Sequence, residues 1–356
     1  MKYWILSCLL LVNNALFAQF DTHAVDSLRS AAGIPGMALA MITPEGLEHV
    51  VLGVNKFPEG GKLDEAHFFH LGSNTKAITA VIAAQLIAKG MVSQDTKLIT
   101  CLPNLDTIPK VYEDVTLYHL LTHQGKVRPY TSGQEMIGLP VFKGTLSERR
   151  AQFVAHLLSQ EAVEAGTYSN AGYAAAALIL EYATGRTFEA LLQEFMEENG
   201  WKYTLGWPNL LDESQPWGHL EFNGNLIPTP ANHPYRLMDV LTSAGDISMP
   251  VADYADFVQE VLLGAIGKES KLGKLDYQQL LFGREGYSWG WGNQDNADEK
   301  VAFHDGSVGT FYCHAILIPD RQVGFVGIIN SAKTSHVQIL FGIRKEMLDK
   351  YMRNKP

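Results

Sequence analysis

The pattern of apolar positions predicts a mainly helical middle for this chain. From Ala77 to Ala88 the run A-I-T-A-V-I-A-A-Q-L-I-A is apolar on nearly every face of a helix, which is typical of a helix buried inside a protein. Residues 147–159 and 188–198 have the one-sided apolar spacing of surface helices, and residues 336–352 predict a closing helix. Most of the segment 74–200 is helical in pattern.

Alternating apolar positions predict strands at both ends of the chain. Residues 36–55 alternate around a turn at 43–46, and residues 315–318 and 323–330 alternate around a turn at 319–321. Strands at both ends with helices between them require the two ends to join in one antiparallel sheet, which is an α+β arrangement.

These elements also predict a division into domains. We expect residues 19–70 and 240–356 to form a domain built on the sheet, and residues 71–239 to form a mainly helical domain. With 46 % hydrophobic and 19 % charged residues among 356, the chain can bury a core large enough for both. The formal charge of −10 argues against nucleic acid or an anionic membrane as a partner.

The first residues predict export. Residues 1–18 have a lysine, a short apolar run and small residues up to Ala18, so we expect a signal peptide cut after Ala18 and a secreted or periplasmic protein without stable membrane insertion. Cys101 and Cys313 would remain after cleavage. Either a disulfide or two buried free thiols fits their apolar surroundings.

A serine and a lysine stand at the start of the buried helix. Ser73 and Lys76 are three residues apart, so their side chains share one helix face and the amine can reach the hydroxyl. Desolvation lowers the pKa of a lysine, and a neutral amine can take the proton of a serine at neutral pH. The backbone N–H groups at the helix start would lie where an oxyanion develops. The alternative is a helix-capping serine followed by a lysine that reaches solvent.

Tyr168 and Asn170 form a second pair, at a loop-to-helix junction. They precede a helix-like stretch, 171–184, with a C-cap predicted at Gly185. The phenol could carry a proton and the amide could hydrogen-bond a substrate if both project into one cleft. The alternative is that Asn170 caps the helix while Tyr168 packs.

A third segment, His304-Asp305-Gly306-Ser307, predicts a turn that leads into a strand. In this order the three segments resemble the serine β-lactamase and penicillin-binding protein superfamily, particularly its class C-like branch of D-aminopeptidases, DD-carboxypeptidases, esterases and cephalosporinases. The resemblance covers residues 23 to 350. Four further stretches support it: Val115 to His123, Ser243-Ala244-Gly245-Asp246, Tyr287-Ser288-Trp289-Gly290-Trp291 and Ile318-Pro319-Asp320.

The resemblance implies a β-lactamase/transpeptidase-like fold, with an antiparallel sheet flanked by helices, an inserted helical domain, and one catalytic unit whose active site lies in the cleft between them. It implies that Ser73 forms an acyl-enzyme and that Lys76 and Tyr168 share the general acid and base work. The substrate site would be formed by Asn170, His304, Gly306 and Ser307, with the backbone N–H groups of Ser73 and Ser307 as the oxyanion hole.

The chain departs from the pattern of the superfamily at two places. His304 stands where β-lactamases usually carry lysine, and a partly protonated histidine would hold a substrate carboxylate less firmly, an effect that Asp305 increases. Residues 124–126 are Gln-Gly-Lys instead of Thr-Ser-Gly, in a loop that borders the site in relatives. His304 and Asp305 disfavour an efficient β-lactamase and favour a peptidase, amidase or esterase, whereas the change at residues 124–126 bears on substrate specificity.

A rival serine motif occurs at Gly286-Tyr287-Ser288-Trp289-Gly290, which matches the G-x-S-x-G nucleophile elbow. An elbow needs a buried strand before it and a helix after it, whereas polar residues flank this one, so we interpret Ser288 as not catalytic. No H-E-x-x-H or paired-cysteine spacing occurs, and His67 and His70, which are three apart, lack a third ligand nearby in the sequence. No Gly-rich phosphate loop occurs either, so we predict no metal and no cofactor.

The sequence therefore predicts a secreted or periplasmic serine hydrolase that acts through Ser73 on an amide, a D-amino-acid peptide or an ester, with a small molecule or a peptide as substrate. Two alternatives remain open. One is an acylable penicillin-binding or sensor module with little turnover, and the other is a non-catalytic binding member of the fold. The pocket would be built by loops 124–146 and 202–235, whose conformations the pattern does not determine.

Overall fold

The computed structural model describes residues 20–102, 108–233, 239–295 and 299–354. The predicted signal peptide and the last two residues of loop 202–235 lie outside these ranges. The helices are α1 Thr22–Ala31, α2 Thr75–Ala88, α3 Leu117–Leu121, α4 Leu146–Leu158, α5 Asn170–Thr184, α6 Phe188–Asn199, α7 Thr242–Gly245, α8 Val251–Ala265, α9 Tyr277–Phe282 and α10 Thr334–Asn354. The strands are β1 Gly36–Thr43, β2 Gly46–Gly53, β3 Phe69–His70, β4 Thr204–Leu205, β5 His219–Phe222, β6 Asn225–Pro228, β7 Ile247–Met249, β8 Gly292–Asp295, β9 Lys300–Ser307, β10 Tyr312–Ile318 and β11 Val323–Ile329.

The main sheet joins the two ends of the chain, as predicted. Its order is β2-β1-β11-β10-β9-β8, and every neighbouring pair is antiparallel. The first strand of the N-terminal hairpin lies beside the last strand of the C-terminal hairpin, with Leu39 opposite Gly327. The α+β class and the two predicted hairpins are therefore confirmed.

Both faces of this sheet are covered, and the strand period of two divides β1 between two cores. Ala38, Ala40 and Ile42 pack into a large core shared with α2, α5 and α8. The alternate residues Met37, Leu39 and Met41 pack into a smaller core under α1 and α10. Successive side chains of a strand point to opposite faces, so a strand that is apolar throughout is buried on both sides.

The helices of the middle segment stand on the face of the larger core. The buried α2 packs on α5, α6 and α7, and the surface helices predicted at 147–159 and 188–198 are α4 and α6. A small sheet with the order β3-β7-β4 takes β3 from before this segment and β4 and β7 from after it. The division into a sheet domain and a helical domain at residues 70 and 240 stays a prediction.

Candidate active site

A tight turn presents Ser73 at the start of α2. Residues Gly72 to Asn74 form a single 3-10 turn that continues directly into the helix. The buried side chain of Asn74 holds this turn, since its amide donates to the Cys313 carbonyl oxygen at 3.0 Å and its oxygen accepts from the Tyr254 hydroxyl at 2.8 Å. Ser73 is therefore fixed relative to both the sheet and α8.

Lys76 lies one turn further on and is completely buried. Its Nζ is 3.2 Å from Ser73 Oγ, 2.7 Å from the side-chain oxygen of Asn170 and 2.7 Å from the Ala244 carbonyl oxygen. Burial holds the pKa of Lys76 well below its usual value, because desolvation penalises the ammonium form. A neutral amine has two N–H groups, which these two carbonyl oxygens take up, so its lone pair is left for the Ser73 hydroxyl.

Asn170 reaches Lys76 because it begins α5. The cap of this helix is Ser169, whose hydroxyl accepts from the Gly172 N–H, so the alternative of Asn170 as the capping residue does not hold. The Asn170 amide nitrogen donates to the Tyr130 carbonyl oxygen at 3.0 Å. This bond sets which end of the amide faces Lys76.

Tyr168 lies on the same side of the cleft. Its hydroxyl faces the Ser73 side chain, and its ring centroid is 4.7 Å from Lys76 Nζ. Burial raises the pKa of Tyr168, so the phenol keeps its proton at neutral pH. Ser73, Lys76, Tyr168 and Asn170, which were predicted from two separate segments, are thus brought together.

The end of β9 meets the nucleophile turn backbone to backbone. Gly72 has φ +53°, and a Cβ there would lie 2.7 Å from the backbone nitrogen of Ser307. A Cβ on Gly306 would lie 2.0 Å from the Leu71 carbonyl oxygen and 2.9 Å from the backbone nitrogen of Ser73. Both glycines are required by this contact, which places the N–H groups of Ser73 and Ser307 on adjoining backbone segments.

One local prediction for the third segment was wrong. His304 and Gly306 lie in strand β9 and not in a turn that leads into a strand, because they pair with Ala315 and Cys313 of β10. Ladder pairing satisfies their backbone groups and keeps them extended. The turn follows at residues 308–311.

His304 faces the cleft but is only 5 % exposed. Its Nε2 is 3.1 Å from the Tyr287 hydroxyl and its Nδ1 is 2.9 Å from the Asp305 carbonyl oxygen. Burial lowers the pKa of His304 to about 3, and Lys76 acts in the same direction whenever it carries a proton. The Asp305 carboxylate accepts from the Tyr312 hydroxyl and is 2.7 Å from His314 Nδ1.

Sequence reasoning missed three contributors to this site. The first two are His123 and Tyr287. The centroid of the His123 ring is 4.3 Å from that of Tyr168 and 4.4 Å from that of Tyr287. Burial, together with nearby positive charges, lowers the pKa of His123 to about 2. The Ala244 carbonyl is the third. All three lie in stretches that served only as marks of resemblance, and those stretches were the available signal.

The loop at 124–126 comes directly after His123. Lys126 has φ +57°, a conformation that favours glycine, at the position where the superfamily pattern has Gly. The loop is held to the start of α5, since the Ser169 hydroxyl donates to the Arg128 carbonyl oxygen at 2.8 Å. A lysine at positive φ costs free energy, on the order of 1 kcal/mol or more.

The other candidate groups lie apart from this site. The Ser288 hydroxyl is fully buried and donates to the Gln279 carbonyl oxygen at 2.7 Å. Cys101 and Cys313 are both buried free thiols, which is one of the two arrangements that the sequence left open. Within the described ranges, no group of three His, Cys, Asp or Glu side chains could hold a metal ion, and no helix is long and apolar enough to cross a membrane.

Comparison with known protein families shows which family the chain is related to. The profile of the family described as Beta-lactamase matches residues 14–343. The chain belongs to this family. Members of the β-lactamase fold family are generally serine hydrolases. The placement of Ser73, Lys76, Tyr168 and Asn170 in one cleft is the geometry that such chemistry needs.

Individual relatives agree with this membership of the β-lactamase family. Penicillin-binding protein 4 of Amycolatopsis lactamdurans is 31 % identical over 99 residues, which are 28 % of this chain and 26 % of that protein, so the match spans about a quarter of that relative. An octameric penicillin-binding protein homologue from Pyrococcus abyssi superposes with a TM-score of 0.74 at 21 % identity, over 93 % of this chain and 78 % of that one. SurE superposes with a TM-score of 0.72 at 20 % identity, over 92 % and 74 %. The β-lactamase/transpeptidase-like fold is confirmed.

Proposed function

We propose that this protein is a serine hydrolase that transfers the acyl group of an amide, an ester or a D-amino-acid peptide first to Ser73 and then to water. The observation that carries the proposal is the completely buried Lys76 amine beside the Ser73 hydroxyl, with carbonyl oxygens as its other two partners. A lysine whose pKa is lowered by burial is unprotonated at neutral pH, and its amine can therefore act as the base that activates a serine.

In the first step, Ser73 Oγ attacks the acyl carbon while its proton passes to the Lys76 amine. The oxyanion is stabilised by the backbone N–H groups of Ser73 and Ser307. The bond to the leaving group breaks as Tyr168 donates its proton, which the Lys76 ammonium replaces. Water then attacks the acyl-enzyme, gives up its proton to the same pair, and Ser73 leaves as the hydroxyl.

The relatives support this assignment without naming the substrate. They are described as penicillin-binding proteins, and one structure of SurE, which superposes with a TM-score of 0.69 at 20 % identity over 92 % of this chain and 75 % of that one, is a structure with D-Leu. Both descriptions agree with an acyl donor that carries a D-amino acid. The signal peptide predicted at residues 1–18 would place the enzyme in the periplasm or outside the cell.

Intact-protein mass spectrometry tests the proposal. The protein and its Ser73→Ala variant are exposed briefly to a fluorophosphonate and, separately, to a penicillin. We expect one fluorophosphonate adduct that is absent from Ser73→Ala. A penicillin adduct that persists would favour the sensor alternative over turnover, whereas no adduct with either reagent on a folded protein would contradict the proposal and favour a binding role.

A further inference from the structure

The imidazole of His304 is held in one tautomer by its two partners. Its Nδ1 is 2.9 Å from the Asp305 carbonyl oxygen, and a carbonyl can only accept, so Nδ1 carries a proton. In the neutral ring Nε2 is then an acceptor, and it lies 3.1 Å from the Tyr287 hydroxyl. Tyr287 therefore donates to His304, and both nitrogens of the ring are occupied.

Neighbouring groups leave this arrangement intact. The other phenol that faces Tyr287 is Tyr173, which gives its own proton to the Leu121 carbonyl oxygen at 2.9 Å, so its oxygen is a second acceptor near the Tyr287 proton. The Gly290 N–H also faces the Tyr173 oxygen, whereas the unprotonated Nε2 of His304 needs a donor, so the Tyr287 proton is directed to His304. Burial raises the pKa of Tyr287 well above its usual value, so its proton stays in place at neutral pH.

The charges around His304 also favour the neutral ring. Burial lowers its pKa, and Lys76, which faces it from α2, acts in the same direction whenever it carries a proton, while Asp305 acts in the opposite direction. The Asp305 side chain, however, alternates with that of His304 along β9 and is bound by Tyr312 and His314. Its carboxylate is thus taken up by its own partners, and His314 in turn lowers the pKa of His304.

Tyr287 and His304, both neutral, line the side of the cleft where the leaving group departs. The leaving group must lie beside its proton donor, Tyr168. The centroid of the Tyr168 ring is 6.0 Å from that of Tyr287 and 6.4 Å from that of His304. His123 lies on the same side. A carboxylate placed against Tyr287 and His304 would lose water and meet two neutral side chains, which is unfavourable.

We propose that Tyr287 is a specificity-determining residue which holds His304 as a neutral acceptor, and that the enzyme consequently prefers acyl donors whose leaving group carries no carboxylate next to the scissile bond. The preferred substrates are neutral esters and amides, including peptides whose terminal residue is capped. This inference rests on the proposed function, because it concerns the leaving-group side of the same site.

Two esters that differ in one group test the preference. N-acetyl-D-alanine esterified to glycolamide and to glycolic acid share the acyl group and the scissile bond, and only the second has a carboxylate. We expect kcat/KM at pH 7.5 to favour the glycolamide ester by roughly tenfold or more, a typical effect of one uncompensated polar group in a pocket. In His304→Lys the ratio moves toward the glycolic ester, and a ratio within one variant does not depend on how much enzyme is folded.

The outcomes separate the two proposals. A glycolic ester that is hydrolysed as fast as the glycolamide ester, or faster, overturns the inference and leaves the serine hydrolase standing. Absence of Ser73-dependent hydrolysis and of fluorophosphonate labelling overturns the proposed function as well.

A measurement without substrate tests the role of Tyr287. Nitrogen-15 NMR of the histidine rings should show His304 protonated at Nδ1 alone from pH 5 to pH 9. In Tyr287→Phe its protonation should move to higher pH, because the neutral ring loses its donor, whereas the exposed control Tyr182→Phe should not change it. An imidazolium in the wild-type protein at pH 7, or an unchanged titration in Tyr287→Phe, overturns the inference.

Discussion

Two serines of this chain stand in short motifs that resemble catalytic ones, and their surroundings differ in one respect. Ser73 has next to it a completely buried amine and a phenol, both able to exchange a proton with it. Ser288 is itself fully buried, and its hydroxyl is used up by the Gln279 carbonyl oxygen. A serine becomes a candidate nucleophile when a base faces it and its proton has somewhere to go, and a motif alone provides neither.

Removal of Ser73 should have the largest effect. In Ser73→Ala no acyl-enzyme can form, so we expect kcat/KM for p-nitrophenyl acetate to fall by on the order of 10⁶, as in other serine hydrolases. Circular dichroism and the melting temperature should remain those of the wild type, because Ser73 is only half-buried. Retention of most activity would show that the nucleophile lies elsewhere.

Replacement of Lys76, the proposed base, should have the second-largest effect on activity. Lys76→Met keeps the length of the side chain and removes the amine, so we expect kcat/KM to fall by roughly 10²–10⁴. The matched control is Lys89→Met at the exposed C-terminal end of the same helix, which should leave activity unchanged. Equal losses in both variants would count against a specific role for Lys76.

The pH profile should report the same amine. Since the neutral form of Lys76 is the base, activity should be lost as pH falls through its lowered pKa and be fully present above it. The side-chain oxygen of Asn170 lies 2.7 Å from Lys76 Nζ, so Asn170→Asp places a carboxylate beside the amine. The carboxylate favours the ammonium form of Lys76 and should move the acid limb of kcat/KM upward by about 1–3 pH units. Asn225→Asp, on an exposed strand, is the control, and an acid limb that stays in place in Asn170→Asp would assign it to another group.

The smallest effect is expected at the second serine. Ser288→Ala removes one buried hydrogen bond to Gln279, so the free energy of unfolding should fall by about 0.5–1.5 kcal/mol. The value of kcat/KM should not change, which chemical denaturation and a steady-state assay together would measure. A loss of activity as large as that of Ser73→Ala would reverse the comparison between the two serines.

Much of this architecture could be predicted because it depends on local patterns. The uniform apolarity of α2, the apolar run of β1 and the turns that join the hairpins are encoded within about twenty residues each, where side-chain pattern and turn chemistry decide the structure. Spacing within one helix turn likewise predicted that Lys76 lies near Ser73. The local prediction failed at His304 and Gly306, where pairing with β10 outweighed a glycine that is typical of turns.

The sequence by itself determined the fold class, the joining of the two chain ends and the residues to suspect, because these follow from periodicity and from motifs in order. Only the tertiary structure decided what those residues face. The partners of Lys76 come from positions 94 and 168 residues further along the chain, and Tyr287 reaches His304 across 17 residues. Burial and the direction of each hydrogen bond depend on such distant contacts, and they set whether a lysine is a base and whether a histidine carries a charge.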